Sequence, residues 1–81
     1  MSATIYRYVP SDKLKKELEN RFSYHAPKND QAERYVLIRD WGLALAEVLT
    51  GHCPPSDELR RALDKLDEVV MLANAAIARN E

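Results

Sequence analysis

The C-terminal third of the chain has the most regular pattern of apolar and polar positions. Between Ser56 and Arg79 apolar residues recur every three or four positions, the spacing of a helix that packs lengthwise on another helix. Ser56 is a suitable N-cap, and the two acidic residues after it oppose the positive end of the helix dipole. The pattern predicts a long helix with a packing stripe made of Leu59, Leu63, Leu66, Val70, Ala73 and Ile77.

The second half of this helix is apolar on every side. From Met71 to Ala78 the sequence reads MLANAAIA, in which only Asn74 is polar. A helix that is apolar all round must be covered all round, and one partner helix covers one face. We therefore expect a homo-oligomer whose other copies supply the remaining cover. Asn74 either fixes the register of that interface, which is the preferred interpretation, or contacts a ligand.

A second long helix is predicted from about Gln31 to Thr50, and it carries two apolar stripes. Two stripes indicate two packing surfaces, one for the C-terminal helix and one for a short first helix or another protomer. Gly42 inside this helix costs up to about 1 kcal/mol against alanine, so we expect a neighbouring backbone to approach closely there. The first stripe is Tyr35, Ile38, Gly42, Leu45 and Leu49; the second stripe is Leu37, Trp41, Ala44 and Val48.

Turn signals predict where the long helices begin and end. Asp30 with Glu33 three residues later resembles a capping box. Gly51 is a natural residue just past a helix end, and Pro54-Pro55 prevents continuation. Because the two long helices match in length and a tight corner joins them, we expect an antiparallel hairpin.

The N-terminal part is less regular. Ser11 to Phe22 predicts a short amphipathic helix, and a loop is expected from Ser23 to Asn29. Residues 1–10 are interpreted as an extended arm that lies on a neighbouring chain. The predicted fold class is therefore all-α: a short N-terminal helix plus a long antiparallel helical hairpin, forming one domain over residues 11–81.

Composition and charge narrow the function. The chain has 81 residues, of which 12 are basic and 13 acidic, and its net charge is −1. This balance of charges argues against binding DNA or RNA polymers. Binding of a compact anion stays possible, because it needs only one or two cations. The sequence has no signal-peptide pattern and no apolar span of membrane length, so a soluble intracellular protein is expected. Cys53 beside His52 lacks the second ligand pair of a metal site, so a turn thiol and no metal or cofactor are expected.

Candidate chemistry is concentrated after the first helix, where Tyr24 and His25 are followed by Lys28, Arg34 and Arg39. An aromatic face stacks on a nucleobase and a guanidinium pairs bidentately with phosphate. Tyr24 and Arg39 are therefore a candidate nucleotide site. The simpler alternative is an exposed tyrosine and an arginine paired with a nearby carboxylate, Asp40 or Glu33. Both histidines, His25 and His52, are expected in loops, in contact with solvent.

Catalysis has little support in the sequence. With two glycines there is no phosphate-binding loop, and spacing suggests no nucleophile–base pair. An enzyme is therefore not expected.

The chain contains several distinctive runs of residues between about positions 20 and 81. They are Tyr24-His25-x-Pro27, Asp30-Gln31, Glu33-x-Tyr35-x-x-Ile38-Arg39-Asp40, Cys53-Pro54 with Ser56 and Glu58, and the C-terminal run from Val70-Met71 through Asn74-Ala75-Ala76-Ile77-Ala78-Arg79-Asn80. Together these runs resemble small phage proteins of the anti-CBASS cyclic-nucleotide sponge family.

The resemblance implies a binding protein of the infected bacterium's cytoplasm rather than an enzyme. Such proteins form homohexamers of helical hairpins and sequester cyclic dinucleotides, cGAMP among them, and in many cases cyclic trinucleotides. The similar hairpin of anti-Thoeris sponges captures a cyclised ADP-ribose signal instead. The family's dinucleotide pocket implies roles for Tyr24 and Arg39. A separate trinucleotide pocket near a symmetry axis is expected to use His25 and Arg79.

Two other functions remain open at this point. An adaptor would use its exposed apolar stripes to recruit another helix. A phosphodiesterase would bind the same ligand and destroy it, although the residues suggest no general-base arrangement for that reaction.

Overall fold

The computed structural model of the chain describes residues 7–81, and over that range it is all-helical with no strand. Helix α1 spans Asp12–Phe22, helix α2 spans Gln31–His52 and helix α3 spans Asp57–Asn80. The predicted fold class is confirmed for these residues. Most of the predicted N-terminal arm lies outside the described residues; residues 7–10 are neither helix nor strand.

Helices α2 and α3 form the predicted antiparallel hairpin. They pack closely on each other, and the side chain of Gln31, at the start of α2, bonds Glu81, just past the end of α3. Every residue of the predicted α3 stripe, from Leu59 to Ile77, is partly buried. The N-caps are also as predicted, because the hydroxyl oxygens of Ser11 and Ser56 accept hydrogen bonds from backbone N–H groups three residues later, at 3.1 Å in each case.

The predicted end of α2 at Gly51 is wrong. The helix continues through Gly51 to His52, and the N–H of Cys53 still donates to the carbonyl of Leu49 at 2.9 Å. The signal that ends the helix is Pro54, which forces the residue before it out of helical geometry; Cys53 accordingly has φ −113° and ψ 137°. His52 is therefore in the last helical turn and not in a loop.

The predicted capping box at Asp30 is also wrong. Asp30 has φ −91° and ψ 12° and makes no side-chain capping bond, because an N-cap side chain reaches the helix N–H groups from an extended backbone. Gln31 closes this turn instead: its side-chain oxygen accepts from the N–H of Lys28 at 3.1 Å, and its own N–H donates to the carbonyl of Lys28 at 3.0 Å. Asn29 turns the chain with a positive φ of 53°.

The hairpin leaves much of its apolar surface uncovered. Among the described residues no apolar side chain is fully buried, and Gln31 is the one buried residue. The second stripe of α2 faces outward, with Trp41 70% exposed and Val48 54% exposed. Helix α1 does not cover this stripe, and Met71 and Leu72 of α3 are likewise exposed.

Helix α1 is attached to the rest of the protein mainly at one place. It has no buried residue. The side-chain amide of Asn20 donates to the carbonyl of Arg79 at 3.1 Å, and the guanidinium of Arg79 donates to the carbonyl of Arg21 at 3.2 Å. The end of α1 is thereby held against the end of α3. None of the described helices is long and apolar enough to span a membrane.

The close approach expected at Gly42 is present, although a side chain makes it and not a backbone. A Cβ atom added to Gly42 would lie 2.7 Å from Cγ2 of Val70. Valine is stiff about χ1, so it moves away only at a cost. We expect Gly42→Ala to lower the free energy of unfolding by about 1–3 kcal/mol, as overpacking does, despite a helix-propensity gain of up to about 1 kcal/mol. Urea unfolding at fixed protein concentration measures the change.

The matched control removes the obstructing methyl groups. In a Val70→Ala background, Gly42→Ala should be neutral or stabilising, because only the propensity gain remains. An equal loss of stability in both backgrounds would show that the contact with Val70 is not the cause.

Candidate functional site

A shallow concavity of about 380 Å³ lies where the end of α1, the following loop, α2 and the last turns of α3 meet. It brings the four residues predicted as ligand contacts, Tyr24, His25, Arg39 and Arg79, onto one surface of a single chain. Their division into two pockets remains a prediction. The full lining is Arg21, Ser23, Tyr24, His25, Tyr35, Arg39, Asn74, Ala75, Ala78 and Arg79.

Tyr24 and Arg39 have the properties that nucleotide binding requires. The ring of Tyr24 is 86% exposed, so its face is open to a stacking partner. Arg39 is exposed too, and within the described residues no ion pair joins it to Asp40 or Glu33. Of the simpler alternative, the exposed tyrosine is present and the local ion pair of Arg39 is absent among the described residues, so this guanidinium is open to an anion.

His25 is more constrained than a solvated loop residue. It is partly buried, and its Nε2 atom lies 2.7 Å from the carbonyl oxygen of Asn20. A carbonyl only accepts hydrogen bonds, so Nε2 is the protonated nitrogen in this contact. The bond fixes the ring against the end of α1, and the expectation of a freely solvated histidine is wrong.

Arg79 has a structural role beside any binding role. Its guanidinium donates to the carbonyl of Arg21 in the last turn of α1, where helix carbonyls lack partners within the helix. A cation is also favoured there by the negative ends of the helix dipoles. The side chain is exposed, and a guanidinium has five N–H donors, so further donors remain for an anion.

Arg34 does not line the concavity, although sequence reasoning grouped it with Arg39. It pairs with Glu81 and with Asp30. The hydrogen bond from Arg34, then that from Gln31, lowers the pKa of Glu81 to about 2, and the pairing with Glu81 raises the pKa of Arg34. A lowered carboxyl pKa means that this contact favours the folded chain above the ordinary value of 4.5 and is lost as the pH falls toward about 2. Its role is to fasten the end of α3 to α2.

Sequence reasoning missed Tyr35 as a site residue, because it was assigned to the packing stripe. The available signal was spacing: Tyr35 and Arg39 are four residues apart and so share one helix face. Asn74 and Ala78 have the same spacing on α3, and the alanine leaves room beside the amide. The Oδ1 atom of Asn74 is buried and has no hydrogen-bond partner.

Arg39 also borders a second, apolar groove between α2 and α3. This groove has a volume of about 310 Å³, and its other charged residue is Asp67. Its lack of further polar groups makes it a surface for packing rather than for binding a charged ligand.

No group of three or more metal-ligating side chains is present in the part of the chain that the structure describes. Cys53 is a free, partly buried thiol at the corner between the long helices.

The fold is a helical hairpin, and its concavity is lined by aromatic and basic side chains. The family model described as Acb2/Tad1, hairpin domain, matches residues 14–78. The chain therefore belongs to the Acb2/Tad1 hairpin-domain family, the anti-CBASS and anti-Thoeris sponge family. The match begins inside α1 and so extends further toward the N-terminus than the motifs had indicated. Neither curated proteins nor solved structures gave a match.

Proposed function

We propose that the protein binds cyclic dinucleotide messengers, cGAMP among them, and cyclic trinucleotides, and sequesters them without cleavage in the cytoplasm of the phage-infected host. The observation that carries the proposal is the concavity that gathers an open tyrosine face, an arginine without an ion pair and a second arginine. Membership of the sponge family supports it.

The chemistry of the concavity suits a cyclic nucleotide. The Tyr24 ring would stack on a base, and the Arg39 guanidinium would pair with a phosphate. A chain with a net charge of −1 can do this because three arginines share the surface: Arg21, Arg39 and Arg79.

A second copy of the chain would complete the pocket. One chain covers a base on Tyr24 from one side only, since this ring is 86% exposed. We propose that the other side is supplied by a neighbouring protomer in a homohexamer. The uncovered second stripe of α2 supports assembly, because soluble monomers rarely expose large apolar patches.

The test of the function is to load the protein, remove unbound ligand, heat it and identify what is released by chromatography. Intact cyclic dinucleotide or trinucleotide supports sequestration. Release of a cleaved product would identify an enzyme. If the protein retains no ligand at all, the adaptor function is the one that remains. The ligand set should include a cyclised ADP-ribose, since the family contains anti-Thoeris sponges.

Two substitutions test the site assignment. Tyr24→Ala and Arg39→Ala should each weaken cyclic dinucleotide binding by about tenfold or more, because losing one stacked base typically costs about 1–3 kcal/mol and about 1.4 kcal/mol is tenfold. Titration calorimetry measures the affinity, and light scattering should show an unchanged assembly.

Matched variants separate the loss of stacking or charge from a general loss of folding or assembly. Tyr24→Phe keeps the aromatic face and should bind like the parent. Arg61→Ala removes an exposed arginine that does not line the concavity and should also bind like the parent. If Tyr24→Ala and Arg39→Ala both retain full affinity, the ligand lies elsewhere.

A further inference from the structure

The concavity contains one polar side chain that the fold leaves unsatisfied. Asn74 lies in its lining beside Ala75 and close to Ala78. Its Oδ1 atom is the one buried side-chain nitrogen or oxygen without a hydrogen-bond partner among the described residues. Buried acceptors in native proteins are nearly always satisfied, so this oxygen indicates a missing donor.

The described chain does not supply that donor. The neighbouring alanines have none. The protonated Nε2 of His25 is used on the carbonyl of Asn20, and one Nη of Arg79 is used on the carbonyl of Arg21. No described side chain donates to Oδ1 of Asn74, so the donor is a water, a molecule that occupies the concavity or another copy of the chain.

The surroundings favour a ligand over a second copy. The amide stands on the same surface as Tyr24, Arg39 and Arg79, where positive charge attracts an anion and an aromatic ring offers a stacking face. A purine stacked on Tyr24 would present its polar edge to the remaining wall. Rotation about the Cβ–Cγ bond of asparagine is soft, so Oδ1 can turn into the concavity when a donor arrives.

An asparagine amide matches one base edge best. Its oxygen accepts from the N6 amino group of adenine while its nitrogen donates to N7, a bidentate pairing. Guanine presents two acceptors at the same edge and leaves the amide oxygen unpaired. We propose, on the basis of the proposed function, that Asn74 determines base specificity in this pocket by selecting adenine through its N6 amino group.

The experiment compares two ligands that differ by that amino group alone: cyclic di-adenosine monophosphate and the same ring with unsubstituted purine at both bases. The parent should bind the adenine ligand about tenfold or more tightly in titration calorimetry. Two variants remove the amide: Asn74→Leu, whose side chain has nearly the same shape, and Asn74→Ala. Each should bind the two ligands equally, with the affinity that the parent shows for the purine ligand.

The outcomes distinguish the alternatives. If the parent binds both ligands equally well, or if Asn74→Leu keeps the preference, the specificity role is overturned while the proposed function stands. If substitution of Asn74 changes the size of the assembly but keeps the preference for the adenine ligand, Asn74 fixes the register of an interface. That outcome also overturns the specificity role. If no cyclic nucleotide binds the parent, the proposed function fails and this inference with it.

Discussion

Trp41→Lys is expected to break the assembled protein into small species and to lower its stability sharply. Trp41 is 70% exposed in the single chain, at the centre of a stripe whose neighbours Leu37 and Val48 are 55% and 54% exposed. If this stripe is covered by other protomers, the substitution places an unpaired cation in an apolar interface, and burying such a charge is strongly unfavourable.

Light scattering and thermal unfolding, both at matched protein concentrations, measure this effect. Thr50→Lys is the control: Thr50 is exposed, lies on the same helix outside both stripes and gives the same change in charge. It should leave assembly and stability near those of the parent. A parent protein that scatters as a stable, folded monomer of 9.3 kDa would refute the assembly.

Arg79→Ala is expected to abolish cyclic trinucleotide binding, whereas cyclic dinucleotides should still bind, weakened only by the looser docking of α1. Three copies packed around a symmetry axis would bring three Arg79 side chains together, and like charges repel unless an anion lies among them. A cyclic trinucleotide provides three phosphates with the same symmetry. His25 belongs to the same concavity and is expected to face this second pocket while Tyr24 faces the first.

The structural role of Arg79 requires a control that loosens α1 without removing the cation. Asn20→Ala removes the other hydrogen bond between the ends of α1 and α3, so it should retain trinucleotide binding if the charge of Arg79 is what matters. Calorimetry with each ligand alone and in competition measures both sites. Stoichiometric displacement of one ligand by the other would show a single shared pocket.

The packing of α3 could be predicted because periodicity alone determines which face of a helix is apolar. All six residues of the stripe from Leu59 to Ile77 are partly buried as expected. The ends of α2 could not be predicted in this way, because Asp30 and Gly51 are sequence signals whose effect depends on backbone geometry. At one end the side chain of Gln31 closes the turn before the helix, and at the other end Pro54 terminates it.

The candidate site was predictable in part for a similar reason. Tyr24, His25 and Arg39 are near one another in sequence, so their grouping needed no tertiary information. Arg34 was grouped with them wrongly, because its partner Glu81 is 47 residues away in sequence. The unsatisfied oxygen of Asn74 depends on what surrounds it in three dimensions, which spacing along the chain does not specify.

The weak attachment of α1 has a consequence for every affinity measured on this protein. An 11-residue helix is marginal by itself in water, and α1 adds no buried side chain to hold it in place. One wall of the concavity, which includes Arg21, is therefore present only for the fraction of time that α1 is docked. Apparent affinity falls in proportion to that fraction. Part of the free energy of binding is thus spent on ordering α1, and an observed dissociation constant reports the docking equilibrium together with the contacts.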